Sequence, residues 1–324
     1  MYIFLNHKMY AYVTLCMKGT KYVPGVLALA TSIRMSGSVF PLVCMVTSDV
    51  PMVARELIAT VAVVHEVPKL QYRTKPMKSS HSMRLYKEWY DESYTKWNCL
   101  NLTQYTKVLF IDADMIIIDN VDHLFDLQAP AATFSTPWAT EFDPAGSFSI
   151  ADYPTGHADR VPAATIARNL ITGGYTFIAS LVLLEPAAED YNKLLDKIQN
   201  YQPFGFDNYS SPDEQSLAWY YITKNTTWTH IHQRYNFIIH KLEWLDHATP
   251  AVLHYFSHKK PWLCENDTTP WFTDKIWWFF YKPWSKKTDD QLIIPKLNGL
   301  HKKYFPWLHN LALHPVIGVL FEKT

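Results

Sequence analysis

"KVLFIDADMIIID", residues Lys107 to Asp119, sets two carboxylates between two apolar runs. Val108 to Ile111 reads as a buried strand, because a short apolar run bounded by polar residues seeks cover on both faces. It stops at Asp112. Asp114 follows after one alanine, and Met115 to Ile118 begins a second apolar run. In open parallel sheets, ligands bind beyond the carboxyl ends of the strands. Asp112 and Asp114 stand at such an end. On a regular strand their side chains share a face, with Ala113 opposite. Held about 3–5 Å apart in a partly dry site they repel, so one stays protonated unless a cation comes between them. A divalent metal bound through oxygen, Mg²⁺, Ca²⁺ or Mn²⁺, removes the conflict. On these residues alone a second reading stays open, a loop whose aspartates cap the next turn.

Working outward, the chain alternates. Ala11 to Leu15 reads as a buried strand. In "VLALATSIRMSG", Val26, Ala30 and Ile33 fall at helical spacing, with Gly37 as a stop. "PLVCMV" (Pro41 to Val46) predicts a second strand, "TSDVP" a helix start and "VAVVHEV" a third strand. Strand, helix, strand, helix, strand is the pattern of a parallel sheet covered on both faces. Tyr72 to Tyr90 is polar and basic and reads as a mobile connection. A helix is predicted from Thr95 to Leu102, before the strand Lys107 to Ile111. Ser135 to Asn169, rich in Pro, Gly, Asp and Ala, reads as a lid or surface insertion. "YTFIASLVLLEP" predicts a strand, with helices expected over Ala187 to Gln199 and Asp213 to Thr223. "AVLHYF" is the last core strand of the reading.

Composition narrows the functional classes. Of 324 residues, 48% are hydrophobic and 19% charged, which excludes a disordered chain. Thirty basic residues balance thirty acidic ones, so no net field draws nucleic acid or an anionic membrane. Aromatic residues reach 15%, and ordinary packing is the preferred account of them over ligand stacking. Cys16, Cys44, Cys99 and Cys264 are dispersed without a CxxC pair, so a disulfide framework is not expected and a reducing compartment is. The first residues do not read as a signal peptide, and no window reaches the roughly 18 apolar residues of a membrane helix. Four Asn-x-Ser/Thr triplets, at Asn101, Asn208, Asn225 and Asn266, carry no weight without export. The expectation is a cytoplasmic protein.

A second informative stretch is "HYFSHKKPW", His254 to Trp262. It also follows an apolar strand and so is expected at the same sheet edge. An imidazole can complete a metal site begun by two aspartates and moves the preference toward Mn²⁺. Lys260 is a point charge suited to phosphate. A lone His after a strand is more often structural, but an acidic loop and a His/Lys loop in one α/β chain favour the site. Metal plus lysine describes a holder for a diphosphate, stabilising charge on a departing nucleoside diphosphate.

These pieces, with "YTKWNCLNLTQYTKVLFIDADMIIIDNVDHLFDL", "PDEQSL" and Tyr235–Asn236, resemble the glycogenin-like nucleotide-sugar glycosyltransferases of glycosyltransferase family 8 over most of residues 10 to 262. Within that family the chain looks most similar to glycogenin-like proteins of large insect DNA viruses. The resemblance implies an α/β fold, a Rossmann-like mostly parallel sheet of the GT-A nucleotide-sugar transferase type, and a retaining, metal-dependent reaction with UDP-sugar as donor. By the same resemblance Asp112, Asp114 and His254 hold the metal, Mn²⁺ with Mg²⁺ as the alternative, and Asp114 also reaches toward the ribose or sugar. Lys260 grips the diphosphate. Leu15, Met17 and Tyr22 hold the uracil, Lys96 lies near the donor sugar, and Glu214 and Gln215 match a D/E-Q pair beside the reacting carbon.

The chain also departs from the family. Ser257 replaces a motif glycine. The family's Asn near the donor sugar falls at Ile178 or near Thr172, according to register. The self-glucosylated tyrosine of glycogenin meets Glu243 or Phe237. A separate acceptor (a glycan, protein or small molecule) is therefore expected, and a homodimer stays among the expectations. The domain reading is a transferase domain over residues 1–270 and an aromatic-rich extension over 271–324 packed on it. Two competing readings are a non-catalytic nucleotide or sugar binder on a degenerate transferase fold and a Mg²⁺-dependent phosphatase of the haloacid dehalogenase type. The phosphatase usually carries its Asp-x-Asp on the first strand, whereas here about a hundred residues precede the pair.

Overall fold

Apolar runs that can be buried on both faces form the middle of the large sheet. In the computed structural model, β1 (Tyr10–Cys16), α1 (Val23–Met35), β2 (Leu42–Val46), α2 (Met52–Ala59) and β3 (Val63–Glu66) follow the predicted alternation. The structure describes residues 9–73, 87–134, 160–173, 177–200, 212–239, 245, 249–256, 260–263, 272–281 and 284. β4 (Lys107–Ile111), β5 (Met115–Ile117) and β6 (Ala131–Thr133) come next, then β7 (Arg160–Val161) and α3 (Ala163–Gly173). β8 (Ile178–Leu184), α4 (Ala188–Asn200), α5 (Pro212–Thr223) and β9 (Trp228–His230) precede the short strands β10 (Phe237–Ile238) and β11 (Val252–His254). α6 (Phe272–Tyr281) is the last described helix.

The large sheet has the order β3-β2-β1-β4-β8-β6-β9-β7. β1 pairs in parallel with both β2 and β4, and β2 with β3. β8 runs antiparallel to β4 and β6, and β6 is again parallel to β9. The sheet is thus mostly parallel, with one reversed strand in its interior. Hydrophobicity cannot announce that reversal: all seven residues of β8 are buried, and burial on both faces looks alike in either direction. The chain direction puts the carboxyl ends of β1, β2, β4, β6 and β9 on one edge.

A second sheet, β10-β11-β5, stands beside that edge. β11 runs antiparallel to β5, pairing His254 with Met115. α1 lies between the two sheets and is apolar almost all round, with ten buried residues including Leu27, Ala28, Leu29 and Ile33. Its polar residues bond locally or across: the Ser32 hydroxyl donates to the Leu29 carbonyl (2.8 Å) and accepts from the Ile117 amide (3.1 Å), which fixes β5 against the helix. α6 packs on α1, burying Ile276, Trp277 and Phe280 among Ala28, Ile116, Phe237 and Tyr255. Trp97, Trp228 and Trp277 are fully buried and serve packing.

Three expectations are corrected. The helix read over Thr95 to Leu102 is a 3-10 helix, Ser93–Asn101. The insertion read through Asn169 is regular from Arg160 onward: β7 joins the sheet edge, and α3 buries Ile166 and Leu170 at helical spacing. The two aspartates stand in a turn rather than on a strand. The remainder of that insertion, most of the Tyr72 to Tyr90 connection, Glu243, Ser257 and almost all of the tail beyond Tyr281 lie outside the described residues.

Candidate functional site

β4 ends at Ile111, and the chain turns at once. The Asp112 amide donates to the Ser180 carbonyl of β8 (2.8 Å), and the Met115 amide closes back on the Asp112 carbonyl (3.1 Å). Asp112 to Asp114 therefore carry the chain from the large sheet into β5 of the small one. Pairing of β5 with β11 then brings His254 beside Asp114, and the Tyr255 amide donates to the Asp114 carbonyl (2.9 Å). The turn is held from behind by α1. A Cβ on Gly25 would lie 2.3 Å from the Ala113 carbonyl oxygen, so only glycine lets the helix approach this closely.

One ligand atom from each of Asp112, Asp114 and His254 lies within 4.8 Å of the others. His254 Nε2 is 3.7 Å from Asp114 Oδ1. The other oxygen, Oδ2, accepts from Lys260 Nζ at 2.5 Å, and Lys260 also donates to the Tyr255 carbonyl (3.0 Å). Asp114 Oδ1 is buried and has no hydrogen-bond partner among the described residues. Leaving such an oxygen unsatisfied costs on the order of 1–3 kcal/mol. Two carboxylates and an imidazole, with one oxygen orphaned between them, form a donor set that fits a divalent cation of the Mn²⁺ type.

The charges are interlocked. Lys96 Nζ lies 3.4 Å from Asp112 Oδ1 and 3.0 Å from Asp213 Oδ2. Burial pushes the Asp112 carboxyl up to about 6; Lys96 opposes the rise, and Asp114 and Asp213 add to it. For Asp114, burial also works upward, but Lys260 and then His254 outweigh it and hold the group below its ordinary value. Burial would lower the Lys96 ammonium, yet Asp112 and Asp213 together raise it, so it stays charged.

Asp213 is the residue the sequence reading missed. It is 1% exposed, in the first turn of α5, where a carboxylate also suits the helix dipole. Trp97 Nε1 donates to its carbonyl (3.1 Å) and so pins α5 to the 3-10 helix that carries Lys96. The doublet Asp213–Glu214 was the available signal. Glu214 Oε1 accepts from the Ala179 amide of β8 (3.0 Å), and its charge adds to those that keep Lys96 protonated. Gln215 is buried as well. Ser180 and Asn236, which touch the His254 ring, had no assigned role either.

Leu15 and Met17 lie at the carboxyl end of β1, next to β4 and on the same edge as Asp112. Tyr22, just before α1, meets Trp89 (centroids 4.7 Å apart) and Trp262 (5.6 Å). The Trp262 indole donates to the Lys21 carbonyl (2.9 Å), joining the lysine loop to the β1–α1 loop. Ile178 is buried in β8. Asp112, Asp114, His254, Lys260 and Lys96 thus meet at one point. Leu15, Met17 and Tyr22 share the edge of that cluster.

Comparison with known proteins agrees with this geometry. The model of a family described as glycosyl transferase family 8 matches residues 13–266. An uncharacterized protein, R707, of Acanthamoeba polyphaga mimivirus is 27% identical over 259 residues, covering 78% of this chain and 82% of the relative. A putative UDP-glucuronate:xylan alpha-glucuronosyltransferase 3 of Arabidopsis thaliana is 28% identical over 272 residues, covering 79% of this chain but only 35% of the plant protein. Among solved structures, the glycosyltransferase GlyE of Streptococcus pneumoniae TIGR4 superposes with a TM-score of 0.50 at 16% identity, covering 84% of this chain and 60% of GlyE. At that identity the likeness concerns the fold.

Proposed function

The chain belongs to glycosyl transferase family 8 and is a glycosyltransferase, and from that premise we propose that it moves a hexose from a UDP-sugar to a separate acceptor, with retention of anomeric configuration and with Mn²⁺ in the site. The observation that carries this reading is the convergence of Asp112, Asp114 and His254 around the orphaned Asp114 Oδ1, with Lys260 alongside. Membership also sets aside the phosphatase reading.

Asp112, Asp114 and His254 would hold the metal, which when bound supplies a Lewis acid that stabilises charge on the departing diphosphate. Lys260 has three ammonium protons and spends two of them on Asp114 and the Tyr255 carbonyl. The third is available to a phosphate oxygen without disturbing the pair. Lys96, fixed between Asp112 and Asp213, orients the Asp112 carboxylate and keeps a positive charge at the sugar end. Glu214, held by the Ala179 amide, and Gln215 would support the reacting carbon as it gains positive character. Leu15, Met17 and the Tyr22 ring would receive the uracil.

The family match ends at residue 266 and α6 begins at Phe272, which supports a transferase domain over 1–270 with the remainder packed on it. Among the described residues no helix is long and apolar enough to cross a membrane. Cys16, Cys44 and Cys99 are free thiols, which supports a cytoplasmic setting, that of the host cell for a viral protein. The test is UDP release over a panel of UDP-sugars, with and without candidate acceptors, in Mn²⁺ or Mg²⁺. Metal-dependent release with at least one UDP-sugar supports the reading; none over the whole panel contradicts it.

A further inference from the structure

The imidazole of His254 has two nitrogens, and only Nε2 faces the aspartates. On the far side of the ring, Nδ1 lies 2.9 Å from Asn236 Oδ1 and 3.4 Å from the Ser180 hydroxyl. The Asn236 amide nitrogen donates to Ser180 Oγ at 2.8 Å, and Ser180 Oγ is 3.1 Å from Asn236 Oδ1. All three groups are closed off from solvent: Asn236 is 0%, His254 2% and Ser180 3% exposed. They come from separate places in the chain, β8, the residue just before β10, and the end of β11.

We propose that Asn236 and Ser180 are positioning residues that engage His254 through a protonated Nδ1, so that Nε2 is aimed at Asp112 and Asp114 before any cation arrives. The inference rests on the metal reading above, but it concerns the metal-free protein.

The amide chemistry gives the direction. Asn236 has one acceptor oxygen and one NH₂ group, and Ser180 Oγ takes the NH₂. The oxygen accepts from the Ser180 hydroxyl (3.1 Å) and, having no proton to give, can only accept from the ring, so Nδ1 carries a proton. A neutral imidazole that donates from Nδ1 presents a lone pair at Nε2. Nε2, on the far side of the ring from Asn236, faces Asp114 Oδ1 at 3.7 Å. At 3.7 Å the two atoms are beyond hydrogen-bond reach.

Ser180 adds a second constraint. Its carbonyl accepts from the Asp112 amide at 2.8 Å while its hydroxyl engages Asn236. One residue of β8 therefore sets both the carboxylate turn and the imidazole. Partners of this kind around a ligating histidine, through its other nitrogen, orient the ring and raise its basicity.

The test uses full-length protein labelled with ¹⁵N-histidine and freed of metal. Long-range ¹H–¹⁵N correlation reads the tautomer of each ring, and the His254→Asn variant identifies the signal among the 14 histidines. Wild type should show His254 as Nδ1–H. Asn236→Leu should lose that form, and its Mn²⁺ affinity, read by electron paramagnetic resonance of the free ion, should fall about 10–100-fold. Asn236→Asp keeps an acceptor opposite Nδ1 and should keep both the tautomer and Mn²⁺ binding. A His254 ring without a proton on Nδ1 in wild type overturns the proposal, whatever the variants do. So does a folded Asn236→Leu protein with unchanged tautomer and affinity. Should Asn236→Leu fail to fold, Ser180→Ala and the wild-type spectrum still decide. Wild type that shows Nδ1–H and binds no Mn²⁺ would sink the metal reading while leaving the positioning role standing.

Discussion

Replacing Gly25 by alanine probes how tightly α1 backs the Asp112–Asp114 turn. The added Cβ would sit 2.3 Å from the Ala113 carbonyl oxygen, about 1.1 Å inside the 3.4 Å at which ordinary contact begins. It would also lie 3.1 Å from the Trp262 ring. Trp262 could swing aside, but the carbonyl is backbone and belongs to the turn that holds both aspartates. Either the helix or the turn must move by about 1 Å. Overpacking of this kind costs roughly 1–3 kcal/mol, against which the better helix propensity of alanine returns about 1 kcal/mol. The net expectation is a loss of up to about 2 kcal/mol in urea unfolding. The larger effect should be functional, because a displacement near 1 Å at a site can lower turnover about 10²-fold. UDP release and Mn²⁺ affinity, measured on protein that still unfolds cooperatively, read this directly. A Gly25→Ala protein that is more stable than wild type and binds Mn²⁺ equally well would refute the close approach of α1 to the turn.

Lys260→Ala should lower turnover more than donor affinity, since the charge counts most on the leaving diphosphate; a change confined to KM would show that the lysine only binds. The same variant strips a buried partner from Asp114 and should destabilise the metal-free protein by roughly 3 kcal/mol in chemical unfolding, with Mn²⁺ restoring part of the loss. Asp213→Ala leaves Lys96 paired with Asp112 alone and should cost up to about 3 kcal/mol of stability together with most of the turnover; unchanged turnover would confine Asp213 to a structural role. Incubation with UDP-glucose and Mn²⁺ should leave the intact mass unchanged, because Phe237, buried in β10, offers no hydroxyl at one of the two registers where glycogenin's tyrosine would fall. A ladder of hexose additions, abolished by Asp114→Ala, would contradict that expectation and still confirm transfer chemistry.

The parts of the fold that were legible in sequence are those whose burial is local and periodic. β1, α1, β2 and β4 carry runs that only one kind of element can bury, and their ends fall close to the predicted ones. β11 falls within the strand predicted over Ala251 to Phe256. β5 and β10 are two or three residues long, too short for any period, and the pairing of all three in a sheet of their own is not visible in sequence. The reversal of β8 is a matter of topology that its uniform apolarity hides. α3 could have been found: Ile166 and Leu170 repeat at helical spacing after Pro162, but the surrounding Pro, Gly and Ala drew the reading toward a loop. In the site, Asp112, Asp114, His254 and Lys260 stood out because charge was set against apolar strands. Asp213 did not, since its partner Lys96 is 117 positions away and its neighbour Glu214 matched the family's acidic–Gln pair. Ser180 and Asn236 are ordinary polar residues until the strands bring them against the imidazole.

The central claim is that Asp112, Asp114 and His254 are a metal site that serves a nucleoside diphosphate. Calorimetric titration of UDP into the protein, once with saturating Mn²⁺ and once with EDTA, tests it most directly. The account predicts strong binding in Mn²⁺ and a large loss of affinity in EDTA, with Asp114→Ala showing little affinity in either. Equal UDP affinity in the two titrations would contradict it.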